Sequence, residues 1–174
     1  YRRNVPTFNT IATILHDNGY KNTFFYGGWY GFDNMDIFAE SNLMEMYYDK
    51  PEYESAEQRN EWGLLDGYML LHSLEDIKTS DTTPRLDIYL TLTTHDPFKY
   101  PNQDEYIKKY NALPQKGKSI SMPKENASFL YADDCLRKFF GEYKKSKTFS
   151  NTIFIITGDH KFNTKDKSNL IDNY

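Results

Sequence analysis

One short phrase carries residue types from which half of a site for a metal ion could be assembled. Gly158-Asp159-His160 sets a carboxylate beside an imidazole directly after an apolar run. A carboxylate oxygen and a neutral imidazole nitrogen suit zinc or manganese, but zinc normally takes three or four ligands and this pair supplies two. The same residues also suit a plainer role, with Asp159 capping the following turn and His160 an ordinary surface imidazole. Two further phrases, Tyr26-Gly27-Gly28 and Thr94-His95-Asp96-Pro97-Phe98, also follow apolar runs, and convergence of the three would form one site. The glycine pair is a weak phosphate-binding signal, since no helix start and no third glycine follow in register.

Such phrases need strands to present them. Residues 152–157 are β-branched or aromatic throughout, too short for a helix and too apolar for a solvated loop, and predict a central strand. Gly158 then permits a sharp turn or the close approach of a ligand. Ligands in α/β sheets gather at the carboxyl ends of strands. Residues 86–94 predict a second strand and 23–26 a third. Helices are expected between them. Phe8, Ile11, Ala12 and Leu15 form an amphipathic stripe capped by Thr7 and stopped by Gly19. Residues 61–77 carry Trp62, Leu65, Leu70, Leu74 and Ile77, and residues 128–143 carry Phe129, Ala132, Leu136, Phe139, Phe140 and Tyr143. Helices alternating with strands indicate an α/β layered fold with a mostly parallel sheet flanked by helices. Residues 47–60 and 99–126 read as irregular, the second as a long connection that overhangs the site.

Composition narrows the function classes. With 21 Lys+Arg against 25 Asp+Glu and scattered basic residues, the chain is not expected to bind nucleic acid. A single cysteine, Cys135, excludes an internal disulfide framework. No apolar run reaches the length of a membrane span or signal peptide. The 174 residues fit one domain, and because the first residue is Tyr1 and the last is Tyr174, the expectation is a single partial catalytic domain, incomplete at both ends. Fifteen tyrosines and twelve phenylalanines, many of the tyrosines in polar contexts, suit the lining of a cleft.

The phrases, in order and spacing, resemble the catalytic domain of lipoteichoic acid synthase-like proteins in the sulfatase and alkaline phosphatase superfamily. Residues 25–36 resemble the substrate-loop segment of that family, Glu61-Trp62-Gly63-Leu64-Leu65-Asp66 its next helix, and Thr94-His95-Asp96-Pro97-Phe98 its His-x-Pro-Phe element. Tyr131-Ala132-Asp133 resembles the following helix, and residues 151–160 the metal-binding strand. The resemblance implies an alkaline phosphatase-like fold and places Asp159 and His160 on a divalent metal, Mn2+ or Zn2+. It implies that His95 contacts a phosphate or sulfate group, the alternative being a strand-end histidine bonded to a carbonyl. It implies a cell-envelope phosphoglycerol-type transferase or hydrolase, on the extracytoplasmic face of a bacterial membrane, acting on an ester that is lipid- or glycan-linked. The nucleophile and first acidic metal ligand of the family lie upstream of the region matching Tyr1, as would any membrane anchor, so this stretch alone is expected to be inactive.

Departures from the family pattern bear on the substrate. Lipoteichoic acid synthases have His, Trp and Arg where this chain has Tyr26, Asp33 and Met35, and those residues hold a glycerol phosphate head group. Without the arginine the bidentate phosphate clamp is gone, and Asp33 repels an anion unless it faces a sugar hydroxyl or a cation. Asp33 and Asn34 are therefore candidate substrate-binding residues, or else Asx-turn residues opening the next helix. The competing class is a non-catalytic module on the same scaffold that binds a glycan or polymer through an aromatic cleft.

Overall fold

A computed structural model describes residues 8–49, 59–78, 83–114 and 122–160. Its elements run α1 (Ile11–Asp17), β1 (Lys21–Trp29), α2 (Met35–Ser41), β2 (Glu45–Asp49), β3 (Arg59–Asn60), β4 (Gly63–Leu64), α3 (Asp66–Lys78), β5 (Arg85–Leu90), α4 (Gln103–Ala112) and α5 (Pro123–Tyr143).

The central strand is β1. It pairs in parallel with β2 on one side and with β5 on the other, Tyr26 opposite Leu90, and near its end Gly28 meets Gly63 of β4 in antiparallel register. A parallel strand covered on both faces is apolar at successive positions, and β1 follows this: Phe24, Phe25 and Tyr26 are all buried. Alternation sends Phe24 and Tyr26 into a core with Ala12, Ala39 and Met44, under α1 and α2. Phe25 faces the other way and stacks on Tyr89 with centroids 4.7 Å apart. Tyr89 in turn meets Phe139 of α5, within the larger core of α3, α4 and α5. The result is the expected helix–sheet–helix layering with a mostly parallel sheet, extended by the short antiparallel β3–β4 pair.

Several boundaries differ from expectation for local physical reasons. The first helix starts at Ile11, because Thr10 and Thr13 form a reciprocal capping box; Thr7 lies outside the described residues. Gly19, at φ 82, ends it as expected. The connection expected over 99–126 contains α4, whose Tyr106 and Tyr110 are buried against α5. Polar Gln, Asp, Lys and Asn residues hide this two-tyrosine stripe from a periodicity reading. Trp62 lies in the turn between β3 and β4 rather than in α3.

The largest correction concerns residues 152–157. They join no sheet among the described residues. Phe154 packs on Phe140, Tyr143 and Phe149, while Ile153 and Ile155 are 90% and 82% exposed. β-branched composition favours an extended backbone, but a strand exists only where a neighbour supplies the ladder.

Packing of α3 on α5 is close enough that a Cβ on Gly67 would stand 3.0 Å from the Cys135 sulfur. Burial raises the Cys135 thiol to about 11. In the folded protein at pH 8 it is therefore expected to resist a thiol-specific disulfide reagent and to react at once in denaturant. Rapid stoichiometric labelling of the folded protein would contradict this packing.

Candidate functional site

Parallel pairing of β1 with β5 brings two of the three sequence phrases to one edge of the sheet. Beyond β5 the chain turns through two backbone bonds, His95 N–H to Leu92 O at 3.0 Å and Phe98 N–H to His95 O at 2.8 Å. What fixes this loop is Asp66, the first residue of α3. Its carboxylate accepts the N–H groups of Leu92 at 2.8 Å and Thr93 at 3.0 Å. Asp66 is 1% exposed, and burial raises its carboxyl despite the opposing pull of those two donors. A buried acceptor thereby ties the start of a helix to the end of a strand, two residues before His95.

The turn between β3 and β4 clamps the other side of the loop. The Trp62 indole N–H donates to Asp96 O at 2.5 Å, Asn60 donates to Lys99 O at 3.2 Å, and Glu61 pairs with Lys99. The Trp62 backbone N–H is taken by the Asn60 side chain at 2.9 Å. The His95 ring stands edge-to-face on Trp62, centroids 5.1 Å apart, and its Nδ1 lies 2.8 Å from Asp96 O. The ring is exposed beyond these contacts. Phe32 meets the indole in the same manner at 5.5 Å, so an aromatic run links the loop after β1 to His95.

Glycine at the end of β1 serves packing rather than phosphate. A Cβ on Gly63 would fall 2.1 Å from Gly27 O, and one on Gly28 would overlap the Tyr26 ring at 2.3 Å. The bare backbone lets β4 approach and leaves space for the Tyr26 phenol, whose ionisation is pushed upward first by burial and then by the charge of Asp33. Asp33 and Asn34 follow in a single 3-10 turn, both left-handed at φ 49 and 61. Neither side chain caps α2: Asn34 occupies the cap position without a side-chain bond to the helix. The Asx-turn explanation therefore loses its hydrogen bond, and both polar groups remain exposed beside Phe32.

Asp159 and His160 lie at the end of the unpaired 152–157 segment. They bond to each other, His160 N–H to Asp159 Oδ1 at 2.9 Å, with Nε2 3.7 Å from Oδ2. Both side chains are about three-quarters exposed, 73% and 74%. Their donor types suit a divalent ion, yet among the described residues no group of three or more His, Cys, Asp or Glu side chains could hold one. His95 thus does not share a ligand cluster with them. The other two histidines of the chain have local partners: His16 lies 3.6 Å from Asp17, and His72 stacks on Tyr68. Sequence reading passed over Asp66 and Trp62 as positioning residues, since their roles depend on partners 26 and 34 positions away.

Comparison with known proteins agrees with this fold. A family model described as Sulfatase matches residues 3–172. A lipoteichoic acid synthase-like protein, YvgJ of Bacillus subtilis, is 23% identical over 154 residues, covering 88% of this chain and 24% of that protein. Phosphoglycerol transferase I of Citrobacter koseri is 25% identical over 175 residues, covering 92% and 22%. The crystal structure of the lipoteichoic acid synthase LtaP from Listeria monocytogenes superposes with a TM-score of 0.63 at 19% identity, over 79% of this chain and 33% of that one. The chain spans about a quarter of the length of the curated relatives it matches.

Proposed function

Because the chain belongs to the sulfatase family, we propose that it carries the anion-binding part of a metal-dependent phosphate- or sulfate-ester transferase or hydrolase, most like a phosphoglycerol-type transferase of the cell envelope. The observation that carries this reading is the clamped presentation of His95 at the carboxyl edge of the parallel sheet, held by Asp66 through Leu92 and Thr93 and by Trp62 through Asp96. A rigid loop holds an imidazole in place without reorganisation as charge develops, the condition under which a single donor contributes most. In the imidazolium form Nδ1 donates to Asp96 O and Nε2 is left to donate to an ester oxygen.

Asp159 and His160 would supply two ligands of a divalent ion, manganese or zinc, the rest coming from outside the described residues. Such an ion, when bound, polarises the ester and offsets the charge of its oxygens. The nucleophile is a hydroxyl from another part of the protein, which displaces the alcohol of the substrate ester to form a covalent ester, and an acceptor alcohol or water then displaces that hydroxyl to release the product. Asp33 and Asn34 contact the alcohol side of the substrate. Relatives named for lipoteichoic acid synthesis and phosphoglycerol transfer support an extracytoplasmic location. No helix among the described residues is long and apolar enough to cross a membrane.

The test is His95→Ala in the full-length protein, assayed on paired chromogenic phosphate and sulfate esters with saturating manganese. Turnover of the preferred ester is expected to fall about 100-fold, the typical loss of one oriented donor. A change of less than about three-fold in kcat/KM on both esters would remove His95 from the site.

A further inference from the structure

We propose that Phe32 and Trp62 form a stacking subsite for a neutral pyranose ring carried on the ester beside the anion, a deepening that rests on the placement of an anion at His95. Phe32 is 46% exposed, although a benzyl side chain has no polar end to bring to water. It stands at the mouth of the loop after β1, in edge contact with Trp62, which itself contacts His95. The indole N–H is already given to Asp96 O, so the rest of the ring can offer only its apolar faces. Sites for small ligands combine such walls with a few placed polar groups. Here those groups are Asp33 and Asn34, next to Phe32 in sequence and released from capping α2. A carboxylate acceptor beside an amide that both donates and accepts suits a pair of neighbouring hydroxyls.

Charge selects among the groups an aromatic wall could take. Asp33 and Asp96 bring negative charge to this rim, and Glu61 is matched by Lys99. A second phosphate or carboxylate would be repelled there. A quaternary ammonium would suit aromatic faces and Asp33, but its methyl groups offer Asn34 no hydrogen-bonding partner. A neutral polyhydroxyl ring meets neither objection, and its C–H faces pack on aromatic carbon while its hydroxyls reach Asp33 and Asn34.

The experiment uses the full-length protein with zinc bound, in a Trp29→Phe background so that, within this chain, Trp62 is the only tryptophan reporting by fluorescence. Methyl glucoside 6-phosphate, glycerol 3-phosphate and phosphocholine are titrated in parallel, with binding followed in addition by ligand-observed NMR. The glucoside phosphate is expected to perturb Trp62 emission and to bind about 10-fold more tightly than glycerol phosphate, the gain from one well-made aromatic contact. Phe32→Ala is expected to bring the two within about two-fold, and Phe32→Tyr to restore the preference. Equal binding of the two esters, tightest binding by phosphocholine, or a preference untouched by Phe32→Ala overturns the sugar subsite alone. Binding of none of the three overturns the anion reading at His95 together with it.

Discussion

Replacing Asp66 with alanine is expected to lower the stability of the protein by about 3 kcal/mol. The substitution leaves the Leu92 and Thr93 N–H groups without their acceptor, the second in a fully enclosed position, and each stranded donor costs about 1–3 kcal/mol. For a domain of this size that is a fall in melting temperature of about 6–12 °C. The pH dependence has a defined sign. Burial holds the folded carboxyl above its ordinary value, so the folded state binds the proton more tightly than the unfolded chain. Its contribution is complete below about pH 4, the unfolded range, and declines as pH rises through the folded value. The stability gap between wild type and Asp66→Ala is therefore expected to be wider at pH 4 than at pH 8. Denaturant titrations at the two pH values measure it, and a gap that widens toward pH 8 would show that the two N–H donors, not burial, govern this carboxyl. Turnover should fall as well, because the same bonds orient the loop that presents His95.

Asp159→Ala, in the full-length protein, is expected to cut metal-dependent turnover by about 1000-fold or more. Loss of one charged ligand removes several kcal/mol of charge stabilisation at the ester, and each 1.36 kcal/mol is a factor of ten in rate. The carboxylate is 73% exposed and its hydrogen bond is to the adjacent His160 N–H, so the substitution should leave the fold intact. This separates it from Asp66→Ala, where activity and stability fall together. Calorimetric titration with manganese or zinc provides the second readout. If Asp159→Ala binds the ion as tightly as wild type, the Asp159–His160 pair is a surface turn and the metal lies elsewhere.

Much of the architecture was legible in the chain because it depends on local patterning. The β1 core residues Phe24, Phe25 and Tyr26, the Leu70, Leu74 and Ile77 face of α3, and the Gly19 stop are set by periodicity and backbone preference. Helix α5 instead turns Ala127, Tyr131, Cys135, Phe139 and Tyr143 inward, so that of the stripe expected for it only Phe139 and Tyr143 are buried and Phe129 is exposed. Residues 152–157 mark where that reasoning stops: their composition specified an extended backbone, but pairing is a property of two segments, and Ile153 and Ile155 stand in solvent. Helix α4 escaped notice for the opposite reason, since the burial of Tyr106 and Tyr110 depends on α5 and not on a strong stripe of their own.

By itself the sequence determined the α/β class, the family through its ordered phrases, and the residue types able to meet an anion or a metal ion. These follow from short-range chemistry: side-chain shape, spacing along a helix or strand, and the few backbone conformations each residue permits. Only the tertiary structure decided that Asp66 and Trp62 hold the His95 loop, that Gly27 and Gly28 serve packing against β4 and Tyr26, and that Phe32 joins His95 through an indole. Apart from the approach of Tyr26 to Gly28 within β1, each of these contacts joins groups from different segments, and its energy exists only once sheet pairing has brought those segments together.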